Sequence, residues 1–244
     1  MTTLVLRLAG PMQAWGAASR FTYRATLDHP TKSGVVGLLA AAMGRRRTDP
    51  LEDLLDLSFG VRLDQPGSLC RDFQTSHRAN GVALPLSHRF YLADAVFVAA
   101  VEGPSPLIET MHDAVRRPQF PLYLGRRACP PTFPLDLGIR DSGVRPTLER
   151  EPWAASRHHR RNNPAEVGLD VVADARPDDM TLAGMSEFSL RDSPLSFDPV
   201  RRDYATRSVV RYRVTIDNPD ARREAALPTG GGLNGHDPMD ALEG

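Results

Sequence analysis

The sequence predicts an α+β fold whose strands and helices follow one another in the order β-α-β-β-α-β. Short runs at residues 3–8 and 59–63 alternate apolar and polar side chains, which is typical of strands. Longer segments at residues 31–44 and 105–117 repeat apolar side chains every three or four positions, which is typical of helices. This order is the ferredoxin-like, or RRM-like, arrangement.

The first predicted strand, residues 3–8, leads through a long polar and aromatic loop to the first helix. Pro30 precedes Thr31, whose hydroxyl suits the N-cap of a helix, and Gly44 marks the helix end. The apolar residues between them share one face: Val35, Leu38, Leu39, Ala42 and Met43. A helix is therefore expected from Thr31 to about Met43.

The first turn of this helix carries an unusual charge. Lys32, the only lysine beside 29 arginines, lies where the helix dipole disfavours a cation. A bound anion would remove the conflict. Open backbone N–H groups, the hydroxyls of Thr31 and Ser33 and the Lys32 ammonium together suit a phosphate group. An exposed lysine without a ligand is the alternative.

The middle of the chain predicts a hairpin. A short helical turn at residues 50–57 and the strand at residues 59–63 lead to residues 71–87, which contain the turn-forming dipeptide Asn80-Gly81. This projecting hairpin or mobile loop carries Gln74, His77 and Arg78, which suit contacts to RNA or protein, although a solvated loop without a partner is also possible. Residues 88–101 are strongly β-prone and predict one central strand.

The second half of the chain divides less clearly. Ser105 is expected to cap a second helix, residues 121–138 predict a structured loop and an edge strand, and residues 141–163 predict a polar, basic loop or boundary. Short β-prone runs follow. We expect an RRM-like domain over residues 1–140 with its hairpin at about 71–90, a small β-rich C-terminal lobe over residues 141–217 and a disordered tail over residues 218–244.

The composition restricts the function. The net charge is zero, so nucleic-acid binding must come from local clusters such as the arginines at residues 45–47, 126–127, 157–161 and 201–202. The two cysteines have unrelated contexts, and no His, Cys, Asp and Glu spacing suits a metal, so no metal and no cofactor are expected. The absence of a recognisable signal peptide or membrane-spanning run predicts a soluble, cytoplasmic protein.

Four segments resemble one known family: LRLAGPMQAWG, PTKSGVVGLLAAAMG, RFYLADAVF and PLYLGRRACP. In this order they are similar to the CasD family, the Cas-five-type RAMP subunits of the type I-E CRISPR surveillance complex Cascade. The resemblance implies an RRM-like RAMP domain with a β-hairpin thumb near Asn80-Gly81. It implies a non-catalytic subunit of this antiviral defence complex that holds the five-prime repeat-derived handle of the CRISPR RNA (crRNA). The implied partners are the backbone subunit CasC, the large subunit CasA and target DNA within the complex.

Residues of the opening loop suit contacts to single-stranded RNA, which uses stacked bases and cations that meet phosphates. Met12 and Trp15 offer a stacking surface, and Gln13 could read a base edge. Gly16 lets the backbone come close to a nucleotide. The cations expected at phosphates are Arg20, Arg24 and Lys32. A single Trp is also often a packing residue, so the alternative that Trp15 anchors the loop in the core stays open.

A second group of residues is expected to form the opposing wall. It consists of Tyr123, Arg126 and Arg127, and one of these arginines should pair with a carboxylate such as Asp136, because neighbouring side chains point different ways on an extended chain. Arg89 is a further candidate.

An enzyme is the alternative function, namely a metal-independent endoribonuclease that processes precursor crRNA. Such cleavage needs a general base and a general acid, commonly His or Tyr with a cation. His77, His88 and Tyr91 are the candidates, while His158 and His159 lie in a polar segment without an orienting carboxylate. The residues do not predict an assembled triad, so RNA binding is the preferred function. DNA recognition without a guide is disfavoured by the zero net charge.

Overall fold

The computed structural model describes residues 1–16, 22–176, 179 and 184–221. The strands are β1 (Thr2–Ala9), β2 (Met12–Gln13), β3 (Tyr23–Arg24), β4 (Ser58–Gln65), β5 (Ser68–Gln74), β6 (Ser87–Ala93), β7 (Val96–Gly103), β8 (Asp136–Arg140), β9 (Glu166–Asp174), β10 (Ser186–Ser196) and β11 (Asp203–Asp217). The helices are α1 (Lys32–Ala42), α2 (Glu52–Leu55), α3 (Ser105–Arg116), α4 (Val144–Arg150) and α5 (Arg157–Arg161).

A seven-stranded antiparallel sheet forms the centre of the fold, with the strand order β10-β11-β9-β4-β7-β1-β8. The expected boundary at residue 140 does not separate two sheets, because β9 pairs with β4 at residues 60–62 and brings β11 and β10 into the same sheet. This pairing satisfies N–H and C=O groups that β4 would otherwise expose as an edge strand. The C-terminal strands therefore extend the N-terminal sheet.

Helices cover both faces of this sheet. Leu4, Leu6 and Leu8 of β1 belong to the core that includes α1 and α3, whereas Val5 belongs to a second core that includes Val144 and Leu148 of α4. The first strand, whose alternating side chains are typical of burial on one face, is thus buried on both faces. The segment predicted as a polar loop forms α4 and α5. The apolar pair of α4, spaced by four residues, is enough to hold a short helix against the sheet.

The polar face of β4 is also buried, which the alternating sequence does not predict. Arg62 and Asp64 have exposed fractions of 0% and 1% and pair at 2.7 Å. The Arg62 guanidinium also donates hydrogen bonds to the carbonyls of Leu148, Glu151 and Pro152. This buried arginine joins the chain after α4 to the sheet.

A second, smaller sheet is built around β6, with which its other strands pair. The single strand expected over residues 88–101 is two strands, because Asp94 adopts a φ of 55° and the chain turns there from β6 into β7. β5 pairs along one edge of β6, and β2 and β3 pair along the other. β5 and β6 form a hairpin that turns at the predicted Asn80-Gly81, where Gly81 has a φ of 79°.

The two long helices occur where the sequence predicts them. The Thr31 hydroxyl accepts a hydrogen bond from the Gly34 N–H at 3.1 Å and caps α1, and Gly44 follows the helix with a φ of 79°. α3 begins after Pro104, and the Ser105 side chain does not cap it. Of the expected tail, Asn218 is buried, and residues 222–244 lie outside the described residues. Within the described ranges, no helix combines the length and apolar character needed to cross a bilayer.

Candidate nucleic-acid interface

A groove of about 1450 Å³ runs along α1 on the surface of the protein. Four parts of the chain form its walls. They are the opening segment with residues 14–16 and Arg24, α1 with the residues that follow it, the loop at residues 120–130, and the end of β10 with the start of β11. The groove therefore combines the segment predicted to bind RNA with strands from the far end of the sequence.

Arginines dominate the described lining of this groove, and no aspartate or glutamate belongs to it. The eight arginines are Arg24, Arg45, Arg46, Arg47, Arg126, Arg127, Arg191 and Arg202. Arg45 pairs with Asp53, and Arg191 pairs with Asp203 at 3.3 Å. Arg24, Arg46, Arg47, Arg127 and Arg202 are exposed and make no ion pair with another described residue. A concave surface with one sign of charge attracts a polyanion even when the net charge of the protein is zero.

Gln13 does not line this groove, which corrects the expectation that it reads a base edge, whereas Trp15 borders the groove but is buried, as in its alternative role of core anchor. Gln13 is fully buried, and its amide donates to the carbonyls of Leu8 and Ala95 at 3.1 and 2.7 Å. The Trp15 indole N–H donates to the Gln13 side-chain oxygen at 3.0 Å, and 1% of the residue is exposed. Because their hydrogen-bonding groups are used inside the protein, these residues anchor the opening loop to the sheet.

The first turn of α1 meets an anion, but the anion belongs to the chain. The Asp192 carboxylate accepts a hydrogen bond from the Lys32 backbone N–H at 2.7 Å. The Lys32 ammonium is buried and lies 3.7 Å from Asp174, and Arg207 pairs with both aspartates. Burial lowers the pKa of the Lys32 ammonium, and the Asp174 carboxylate partly offsets this effect. This geometry resolves the unfavourable charge without a bound phosphate.

Arg126 and Arg127 have different surroundings, but the expected pairing of one of them with a carboxylate such as Asp136 does not occur in the described part of the chain. The Arg126 guanidinium donates to the carbonyls of Phe90 and Arg24 and lies 4.7 Å from the centre of the Tyr91 ring. Asp136 instead accepts from His112 at 3.1 Å. Arg127 is exposed in the groove, so it is the member of the pair that is free to meet a ligand.

The other predicted RNA-binding residues are distributed unevenly. Gly16, Arg24, Thr31, Ser33 and Tyr123 line the groove. Met12 is 37% exposed on β2 but does not line it, and Arg89 is half-buried on β6. Arg20 lies outside the described residues. The hairpin residues lie away from the groove, and all are exposed: Gln74, His77 and Arg78.

The residues considered for RNA cleavage do not assemble in the described part of the chain. His88 and Tyr91 are three positions apart on β6 and therefore point to opposite faces of that strand. Tyr91 is 3% exposed beneath Arg126, and His77 lies beyond β5, where it bridges to Ala83. His158 and His159 lie on α5. No cluster of three or more potential metal ligands occurs among the described residues.

Several residues that line the groove are not predicted as RNA-binding residues from the sequence. Arg45 to Arg47 have an ordinary alternative role as cations beyond the end of a helix, where they complement its dipole. The C-terminal wall provides Arg191, Arg202, Phe197 and Tyr204. The sequence shows Arg202 as one of the two arginines at residues 201–202, but it does not show where they lie. Only the pairing of β9 with β4 brings this part of the chain to α1.

Comparison with known proteins identifies the family. The family model described as CRISPR-associated protein (Cas_Cas5) matches residues 3–210. The chain belongs to the Cas5 family. A Cas5-type relative from Escherichia coli (strain K12), CRISPR system Cascade subunit CasD, is 39% identical over 156 residues, which are 55% of this chain and 70% of that protein. The family resemblance of the four sequence segments is thereby confirmed.

Two solved structures extend the likeness of this Cas5 chain to nearly its whole length. A chain of a CRISPR RNA-guided surveillance complex is 34% identical, with a TM-score of 0.71 and coverage of 92% of this chain and 95% of that chain. A chain described as a Cas protein is 33% identical, with a TM-score of 0.65 and coverage of 90% and 97%. The mixed α/β architecture with a large antiparallel sheet is therefore shared with these proteins.

Proposed function

We propose that this chain is a non-catalytic RNA-binding subunit of a type I-E Cascade surveillance complex. It holds the five-prime repeat-derived handle of the crRNA and joins the backbone subunit CasC and the large subunit CasA. The relative named as a Cascade subunit and the likeness to a chain of an RNA-guided surveillance complex support the assembly part of this proposal.

The observation that carries the RNA-binding part is the charge of the groove. The whole sequence contains 30 acidic and 30 basic residues, yet eight arginines and no described acidic residue line this groove. Five of these arginines are exposed without an ion pair to a described residue. The guanidinium group is suited to phosphate because its planar N–H groups match two phosphate oxygens. A single-stranded RNA backbone fits this lining better than a neutral or cationic ligand.

The fold supports an RRM-like RAMP domain with a thumb. The strands of the first 140 residues lie in the order β8-β1-β7-β4, with α1 and α3 on one face, and this order supports the proposed ferredoxin-like arrangement. The β5–β6 hairpin exposes 67% of Leu69 and 63% of Phe73, together with Gln74, His77 and Arg78. Exposed apolar side chains of this size favour contact with another protein, so we assign the hairpin to the neighbouring backbone subunit.

The test is a binding assay paired with a cleavage assay on the purified full chain. Labelled handle RNA and precursor repeat RNA are incubated without metal and analysed by fluorescence anisotropy and by denaturing gel. The proposal predicts binding of the handle without cutting. Arg47→Ala combined with Arg127→Ala should weaken binding by about fivefold to 30-fold, since each exposed ion pair contributes about 0.5–1 kcal/mol.

A matched control removes two exposed arginines elsewhere. Arg150 lies on α4, which packs on the face of the sheet opposite α1, and Arg161 lies on α5. Arg150→Ala combined with Arg161→Ala changes the net charge equally and should leave handle binding within about twofold, because neither residue lines the groove. Equal losses in the two double variants would contradict the assignment of the groove. Cutting at one position would support the endoribonuclease instead.

A further inference from the structure

The C-terminal wall of the groove contains aromatic residues as well as arginines. Phe197 follows β10 directly, and Tyr204 lies at the start of β11, opposite Pro194. Both line the groove and both are partly exposed. The wall is thus not a simple cationic surface, and Phe197, which packs against the main hydrophobic core, is also open to the groove.

The backbone of this wall is held in place by local hydrogen bonds. The Arg191 guanidinium donates to the Tyr204 carbonyl at 3.0 Å and pairs with Asp203. The Pro194 and Tyr204 positions face each other across the β10–β11 pair. Because Arg191 is engaged in these contacts, its contribution is to fix Tyr204, whereas Arg202 is exposed beside it without an ion pair to a described residue.

At Gly37, the α1 wall of the groove has no side chain opposite the Phe197 ring. Gly37 of α1 has no side chain, and a Cβ there would lie 3.5 Å from Cζ of the Phe197 ring. The ring therefore lies near the α1 surface at Gly37 and packs against the main core, yet it remains partly exposed to the groove. Such a partly packed ring loses little conformational entropy when a flat ligand covers it.

These contacts suit an unpaired base with its phosphate. Bases stack on aromatic side chains in a largely sequence-tolerant way, while cations beside them meet the backbone. We propose that Phe197 and Tyr204 stack an unpaired base of the bound RNA and that Arg202 meets its phosphate. This inference rests on the proposed function, and it assigns to the C-terminal strands a base-binding role that Gln13 and Trp15 do not supply, since both are buried.

The test uses the full chain, handle RNA and a set of handle RNAs that each contain one abasic nucleotide. Phe197→Leu and Tyr204→Leu keep an apolar side chain but remove the ring, and each should weaken handle binding by about fivefold or more. The matched control is Phe133→Leu, since Phe133 is 73% exposed and does not line the groove. It should bind as the unmodified chain does.

Abasic scanning separates stacking from damage to the fold. In the unmodified chain, one abasic position should weaken binding by a factor similar to that of Tyr204→Leu. At that same position Tyr204→Leu should show no further loss, because the stacking partner is already absent, whereas Phe133→Leu should show the full loss. A Tyr204→Leu variant that loses affinity equally at every position would indicate general disturbance and would overturn the proposal.

The outcomes also separate this inference from the proposed function. If the unmodified chain does not bind handle RNA, the proposed function fails. If it binds and the Arg47 and Arg127 substitutions weaken binding while Phe197→Leu and Tyr204→Leu do not, only the base-stacking inference is wrong. Loss of assembly with the other Cascade subunits, without loss of RNA binding, would assign this wall to a protein partner and would equally overturn the inference.

Discussion

Gly34 and Gly37 provide a matched pair of substitutions on the groove face of α1. In an ordinary helix, Gly→Ala stabilises the protein by up to about 1 kcal/mol because alanine restricts the unfolded chain and favours the helix. At Gly37 the new Cβ would meet only the Phe197 ring, at 3.5 and 3.7 Å, which is normal packing. Gly37→Ala should therefore raise the free energy of unfolding by about 0.5–1 kcal/mol.

Gly34→Ala should have the opposite sign. Its Cβ would lie 2.8 Å from two carbon atoms of the Trp15 ring and 2.9 Å from the Thr31 hydroxyl oxygen that caps the helix. Overpacking costs about 1–3 kcal/mol and a disturbed N-cap about 1 kcal/mol, so after the helix gain of up to about 1 kcal/mol a net loss of about 1–3 kcal/mol is expected. Urea unfolding followed by circular dichroism measures both changes. Equal stabilisation of the two variants would refute the role of Trp15 as the anchor of the opening loop.

Three further predictions concern the charged residues. Lys32→Met should leave handle affinity within about twofold and the salt dependence of binding unchanged, because this ammonium is buried beside Asp174. A phosphate contact would contribute about 0.7 to the slope of log affinity against log salt concentration. A lower slope in the variant would therefore indicate that Lys32 does contact a phosphate. Arg207→Ala should lower the free energy of unfolding, measured by urea titration, by about 3 kcal/mol, because it leaves the fully buried Asp192 side chain without its cation. A loss below about 1 kcal/mol would contradict the importance of this ion pair. The hydrogen bond from His29 and the guanidinium of Arg211 lower the pKa of Asp28. The ionised Asp28 therefore stabilises the folded protein above about pH 4, and this stabilisation is lost as the pH falls further. Asp28→Asn should reduce the loss of unfolding free energy between pH 7 and pH 3, and an unchanged loss would exclude this contribution.

The sequence predicts the elements whose causes are local. The Thr31 cap, the apolar spacing of α1 and the turn at Asn80-Gly81 depend on residues within a few positions of one another, and all three occur in the structure. At Lys32 the sequence leaves open both a bound anion and an exposed lysine without a ligand, and the structure places an anion of the chain itself at the Lys32 N–H. That anion is Asp192, which is 160 positions away, and no local pattern identifies it.

Burial and long-range pairing explain the remaining differences. A glutamine and a tryptophan in a glycine-containing loop are equally compatible with RNA binding and with packing, and only the positions of Leu8 and Ala95 assign Gln13 to the interior. The β-prone residues 88–101 contain no glycine or proline to mark the break at Asp94. The composition of the groove depends on the sheet, because β9 must pair with β4 before Phe197 and Tyr204 can lie opposite α1.

The salt dependence of handle binding tests the central claim most directly. Each phosphate contact to single-stranded nucleic acid adds about 0.7 to the slope of log affinity against log salt concentration, so removal of Arg47 and Arg127 should reduce the slope by about 1.4. The control without Arg150 and Arg161 should retain the slope of the unmodified chain. If both double variants keep that slope, or if both reduce it equally, the arginine-lined groove is not the site that holds the RNA.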